Sequence, residues 1–490
     1  MLRRWMLATA VAFAALLTPP PAAAQAQPAR PQPPQGLDRI SHILVIYLEN
    51  RSFDNLFGTY PGANGVARAG ATATQTDREG RPYARLPASI GPFNVPDNPP
   101  HLRAIEALQG RPNRPFEIDG VMPGVTGETF TRDLVHRYYT QRAQVNGGRM
   151  DRFVAWSDAG ALAMGYYSRR VMQDSQLWRL ARENVLMDNF FQAALGGSFL
   201  NHVWLVCGCM PTWPNPPENQ RSRLDAAGNP IADNRVTAAQ DGDFAINTVQ
   251  SVFLNDGRQG DALLPAQTQP TIGDRLTARN VDWRWYTGGW DLAALATRTP
   301  AQDDMLRNVY RFQYHHQAFA MFERFNPNTE AGRAQRARHL KSEADLERDI
   351  IEGTLPPVAF YKPAGILNQH PGYAGLGPAD RHLGWIVDLM RRSPMRDSFA
   401  VIITYDEFGG FWDHVLPPAG PAAGARADAY GPGPRIPAIV VSPLARRGTI
   451  DSTPYDTTAI LKLIQDRFRL EPLPSPRVNA QNSLARAFRL

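Results

Sequence analysis

Apolar residues in this chain fall in short runs, separated by long polar stretches. Six runs are apolar nearly throughout: HILVIYL (42–48), VLMDNFF (185–191), VDWRWYTG (281–288), PVAFYKP (357–363), SFAVIITYD (398–406) and IPAIVVSP (436–443). A strand with one wet face alternates apolar and polar; runs that do not alternate predict strands covered on both faces. Helical spacing of apolar residues lies between or after these runs, at 175–184, 345–353, 381–392 and 457–468. Such alternation predicts an α/β fold, an α/β/α sandwich around a mostly parallel sheet. The stretches 61–130 and 208–270 are rich in Gly, Pro, Asn and Asp. They are expected to be long loop insertions, or a small cap over the sheet.

Composition narrows the class. Of 490 residues, 43% are hydrophobic and 20% charged, ample for a large core. The formal charge is +6, scattered in short Arg-rich pieces such as RAQRARH (333–339) with no aromatic interleaving, so nucleic-acid binding is not expected. The N-terminus begins with Arg3 and Arg4, continues with an apolar run from Trp5 to Leu17, and passes through small residues to Ala24 and Ala26. That run is too short to span a bilayer and reads as a signal peptide over 1–26, which predicts a periplasmic or secreted protein. The Arg pair permits twin-arginine export. A Pro/Gln-rich linker follows over 27–38, and no later run approaches the length of a membrane span. The two cysteines, Cys207 and Cys209, exclude a disulfide scaffold; buried free thiols are expected, because a bridge across a single residue reads as strained.

In an open parallel sheet, ligands gather beyond the carboxyl ends of the strands. The first run is followed by Glu49 and Asn50, the second by GGSFLNH with Ser198, Asn201 and His202, the fourth by His370, and the fifth by Asp406, Glu407, Asp413 and His414. Each has a plain reading. Glu49-Asn50 could cap a helix, Asp406-Glu407 could sit in a Gly-rich turn, and Ser198 could be an N-cap. His136 could be a satisfied core histidine. His315 and His316 lie in a helix-like segment where adjacent residues cannot share a face. Together, at strand ends, they assemble a chemistry. Glu49, Asp406, Glu407 and the Asn50 amide oxygen form a hard oxygen site for one divalent metal ion, with Ca²⁺ or Mg²⁺ favoured and Zn²⁺ open. That ion could bind and activate the Ser198 oxygen. The helix start beyond Ser198 could hold a phosphate, with histidines as further donors.

Five motifs then show a resemblance: LENRSFDNLFGTYPG, VNGGRMDRFV, NFFQAALGGSFLNH, TLPPVAFYKP and TYDEFGGFWDHV. They resemble, in order, the motifs of the bacterial phosphoesterase family that contains phospholipases C and an acid phosphatase branch. The resemblance runs from about residue 40 to 470. It implies an alkaline-phosphatase-like fold for a phosphoesterase domain over 39–490. It also implies metal ligation by Glu49, Asn50, Ser198, Asp406 and Glu407, with Ser198 as nucleophile in the form seen in the acid phosphatase branch. His136, Asn201, His315, His316 and His370 fall on positions expected to contact phosphate. With the last helix expected near 468, the C-terminal β-domains common in the family's phospholipases C are not expected.

The expectation is therefore an exported acid phosphatase that acts through phosphoserine on a phosphate ester, with an acid-side pH optimum. The alternatives are a phospholipase C-type phosphodiesterase and a non-catalytic binding protein on the same fold. No protein partner is inferable.

Overall fold

The computed structural model describes residues 35–88, 110–121, 125–129, 131–231, 236–258, 260, 262–418 and 428–490. The segment read as a signal peptide (1–26) and most of the segment read as a linker (27–38) lie outside the described residues. Leu37 is already buried in the core.

Eight strands form one sheet: β1 (His42–Leu48), β2 (Val185–Met187), β3 (Trp283–Thr287), β4 (Leu340–Ser342), β5 (Val358–Lys362), β6 (Phe399–Tyr405), β7 (Ala438–Val441) and β8 (Thr449–Asp451), in the order β8-β2-β7-β6-β1-β5-β3-β4. All neighbouring pairs are parallel except those made by β7, which runs against β2 and β6. Every residue of β5, β6 and β7 is buried, as their unbroken apolar runs predict.

The helices that bear on the site are α1 (Gln176–Glu183), α2 (Ser198–Cys207), α3 (Ile272–Ala278), α4 (Glu343–Glu352), α5 (Leu376–Arg392) and α6 (Thr458–Phe468). Helix α5 contacts α1 and α4, while α6 contacts α2 and α3. Strand β3 shows how these two groups divide. Trp283 packs on Gly273 of α3, and Trp285 stands 6.3 Å from the His202 ring of α2. The alternate residues Arg284 and Tyr286 both bond Asp349 of α4. Successive strand side chains point to opposite faces, so the two groups cover opposite sides of the sheet. The expected α/β/α sandwich is the observed architecture.

Two local expectations are corrected. The run 185–191 is not one strand. After β2 the chain breaks at Asp188 and Asn189, whose side chains bond the Asn64 amide and the Ser452 carbonyl. Phe190–Phe191 then pairs with Tyr455–Asp456 in a separate two-stranded sheet. The cysteines are not free thiols: Cys207 and Cys209 are disulfide-bonded. Helix α2 ends at Gly208 in the left-handed region, and this turn brings the two Cα atoms to 5.2 Å, a separation that disulfides accept.

Candidate active site

Strands β1 and β6 lie side by side in register, Leu48 opposite Tyr405. Their next residues therefore emerge together. Asp406 N–H donates to Leu48 O (3.0 Å) and Arg51 N–H to Glu407 O (3.0 Å). Asn50 turns out of the strand with φ 66° and donates its N–H to Asp406 Oδ1 (3.1 Å). Gly409 allows the following turn: a Cβ there would stand 2.1 Å from Asn50 O, and its own N–H donates to Glu407 Oε2 (2.7 Å).

These bonds use one oxygen of each carboxylate. Asp406 Oδ2 and Glu407 Oε1 are buried and make no hydrogen bond. Burial, then the nearby Glu49 carboxylate, pushes Asp406 up to about 7. Burial pushes Glu407 well above the carboxylate range, against the pull of His136. A buried carboxylate oxygen without a partner is costly unless a cation supplies the missing charge. With Asn50 Oδ1 and Ser198 Oγ nearby, the donor set is all oxygen and fits a divalent ion. Glu49 differs from the other expected ligands. Its Oε1 meets Lys362 Nζ, Asn368 Nδ2 (2.8 Å) and His316 Nδ1 (3.0 Å), and its Oε2 meets Tyr373 OH (3.4 Å). Both its oxygens have partners.

Ser198 is the first residue of α2, and the N-cap position belongs to Gly197. The expected Ser198 cap is therefore corrected: no side chain caps this helix, and Ser198 Oγ instead lies 3.5 Å from Asn50 Oδ1. Gly197 is required by close approach, since a Cβ would meet His136 O at 2.9 Å and His136 Cδ2 at 3.0 Å. Asn201, expected to contact phosphate, is hydrogen-bonded within the loop. Its Oδ1 accepts from Ala194 N (2.9 Å), and its Nδ2 reaches the carbonyls of Ala194, Gly196 and Gly197 (3.2 Å each). It ties down the loop that presents Ser198.

The histidines cluster around this centre. His136 Nε2 is 3.4 Å from Asn50 Nδ2 and 3.8 Å from Glu407 Oε1. His315 and His316 lie on a single 3₁₀ turn, not a longer helix, which lets both be buried. The His316 ring stacks on His202 at 4.5 Å, and His370 meets His136 at 6.1 Å. Burial holds His315 and His370 down to about 4 and His202 and His316 well below their usual range. His136 is the exception. Burial lowers it, but Glu407 and Asp133 outweigh this and raise it to about 9.

A model of the phosphoesterase family matches residues 40–471. The chain belongs to that family. Among its curated relatives in the phosphoesterase family, the non-hemolytic phospholipase C of Burkholderia pseudomallei (strain K96243) is 24% identical over 457 residues, 88% of this chain and 55% of the relative. Phospholipase C A of Mycobacterium tuberculosis is 25% identical over 90% of this chain and 75% of the relative. The non-hemolytic phospholipase C of Pseudomonas aeruginosa is 23% identical over 90% of this chain and 56% of the relative. This phosphoesterase-family chain thus spans just over half the length of the Burkholderia and Pseudomonas proteins. A solved structure of a protein in the alkaline phosphatase superfamily from Vibrio parahaemolyticus is 11% identical, covers 63% of each chain and has a TM-score of 0.32.

Sequence reasoning did not select Lys362 or Tyr373, and it named His202 at the strand end without giving it a role. Lys362 ends the apolar strand β5, is 1% exposed, and holds both Glu49 and the Tyr47 carbonyl (3.3 Å). A lysine closing an otherwise apolar strand was the available signal. His202 lies four residues after Ser198 on the same helix face and bonds its carbonyl (2.8 Å). Tyr373 carried no local signal. Asp413 and His414, which also follow β6, belong to a separate brace. Arg435 bonds Asp413 Oδ1 (2.8 Å) and Asp54 Oδ1 (3.2 Å), and His414 bonds Asp54 Oδ2 (2.6 Å). With its own guanidinium inside, this cluster needs no metal.

Proposed function

We propose that this phosphoesterase-family protein is an exported acid phosphatase, a metal-dependent hydrolase of phosphomonoesters that works through a phosphoserine at Ser198. One observation carries the reading. Ser198 Oγ, Asn50 Oδ1 and the carboxylate oxygens of Asp406 and Glu407 that make no hydrogen bond converge at the N-terminus of α2, beside His136, whose environment favours its charged form. A single divalent cation held by Asn50, Ser198, Asp406 and Glu407, with Glu49 alongside, would lower the pKa of the serine hydroxyl and bind phosphoryl oxygens.

The chain's own groups account for the rest. Ser198 Oγ, its proton already lost to solvent, attacks phosphorus, and the bond to the leaving alcohol breaks. His136 gives its proton to the departing oxygen. Water then attacks the phosphoserine, returns a proton to His136 and frees Ser198. The uncapped N–H groups at the start of α2 receive the phosphoryl oxygens, as helix N-termini do. Neutral His315 adds an N–H donor without adding charge, whereas the single N–H of neutral His316 and His370 faces Glu49 Oε1 and the Pro371 carbonyl. A monoester offers three free oxygens to this set and a diester two, which favours the monoester. Export is part of the proposal and rests on the signal-like pattern over 1–26. Among the described residues, no helix is long and apolar enough to cross a membrane.

The test is turnover of the mature protein on phenyl phosphate, a matched phosphodiester and phosphatidylcholine, with and without chelator. Phenyl phosphate is expected to show the highest kcat/KM, lost with chelator. A preference for phosphatidylcholine, the class of substrate that the relatives' names suggest, would replace the reading with a phospholipase C. No turnover on any of them would favour a binding protein.

A further inference from the structure

His136 and Gly197, which flank the Ser198 turn, form part of the lining of a cleft of 1190 Å³. Its other walls include Arg78, Arg137, Trp156 and polar residues of the 208–270 stretch such as Asn247 and Gln250. An ester attacked at Ser198 would extend its leaving group into this space. Ligand pockets commonly hold roughly 300–1,000 Å³, so the cleft has room for an alcohol far larger than phenol.

The charges of the cleft are unevenly spoken for. Asp158 is held by Arg132 (3.0 Å) and by the Val135 amide (2.8 Å). Asp133 faces His136 Nδ1 at 3.5 Å, and Arg258 is paired with Asp256 at 2.9 Å. Arg78 has no carboxylate partner among the described residues. Its guanidinium is nevertheless fixed: the carbon lies 4.1 Å from the Trp156 ring centroid, and Nε donates to Ala155 O (3.2 Å). Neither Nη atom of Arg78 makes a hydrogen bond among the described residues. A stacked arginine with its outer edge open is pre-organised for a planar or tetrahedral anion. The same stack occupies the Trp156 face that a quaternary ammonium would need, and the guanidinium repels such a cation.

Resting on the phosphomonoesterase reading, we propose that Arg78, braced on Trp156, forms a second anion subsite. The preferred substrates are then phosphomonoesters of nucleotide size whose leaving group carries a second phosphate or carboxylate.

The experiment compares kcat/KM of the wild type on adenosine 3′,5′-bisphosphate and on the 3′- and 5′-monophosphates, with phenyl phosphate as the small reference. The bisphosphate is expected to be favoured about tenfold through KM, the size of one charge-assisted contact. That ratio should fall towards one in Arg78→Ala and fall in part in Trp156→Leu and in Arg78→Lys, which keeps the charge but loses the stacked planar edge. A wild-type ratio near one, or a ratio unchanged in Arg78→Ala, overturns the subsite and leaves the monoesterase reading standing if phenyl phosphate is hydrolysed. A wild type that favours 4-nitrophenyl phosphorylcholine over all of these overturns the subsite too. No turnover on any phosphomonoester overturns both.

Discussion

Asn50 and Asp406 tie together the ends of two neighbouring strands: the Asn50 N–H donates to Asp406 Oδ1 at 3.1 Å, and Asp406 Oδ2 is buried and makes no hydrogen bond. One oxygen is structural, and the other is open to a cation. Asp406→Asn keeps the first bond and removes the charge. Metal content, read by elemental analysis, and turnover should fall together. Because burial raises Asp406 to about 7 in the metal-free protein, a cation must displace a proton below that pH. Metal affinity should therefore rise with pH through 7. Full activity in chelated protein would sink the metal reading.

His136 makes a separate pH prediction. In the metal-free protein its pKa is raised to about 9, against about 6.5 for an unfolded histidine. A raised folded pKa stabilises fully below 6.5, and the contribution is lost as pH climbs through 9. The difference in unfolding free energy between wild type and His136→Gln should follow that course in denaturant titrations on chelated protein. By NMR, the His136 ring should titrate near 9, while His315 and His370, held at about 4 by burial, stay neutral at pH 6. A difference that grows from pH 7 to 9 would contradict this assignment.

Ser198 is not the cap of α2, so Ser198→Ala removes no capping bond. Its stability cost should lie below the ~1 kcal/mol of a lost N-cap. Turnover and any acid-trapped phosphoenzyme should vanish. Retained turnover in a folded Ser198→Ala protein would exclude the phosphoserine route.

Arg435 is fully buried between Asp54 and Asp413. Arg435→Met strands two buried carboxylates, which costs about 3–5 kcal/mol. Thermal unfolding should show the loss. Arg435→Met with an unchanged midpoint would mean the brace carries no stability.

The apolar runs alone determined most of the sheet. His42–Leu48 and Phe399–Tyr405 are strands where the pattern predicts them, because burial on both faces demands apolar side chains at every position. They also placed Glu49-Asn50 and Asp406-Glu407 at strand ends, but that these meet follows from the two strands lying side by side in register, which the fold decided. The tertiary structure alone decided what each group became. The Glu49 oxygens are partnered because Lys362, 313 residues later, arrives beside them on β5. Burial holds His370 in its neutral form against the Asp133 carboxylate, while at His136 the Glu407 and Asp133 carboxylates outweigh burial and favour the charged form. Cys207 and Cys209 are bonded because Gly208 turns the chain between them. Periodicity records which side of an element faces the core; it carries no record of which distant side chain arrives to meet it. Hydrogen bonds, charge states and open oxygens depend on those arrivals.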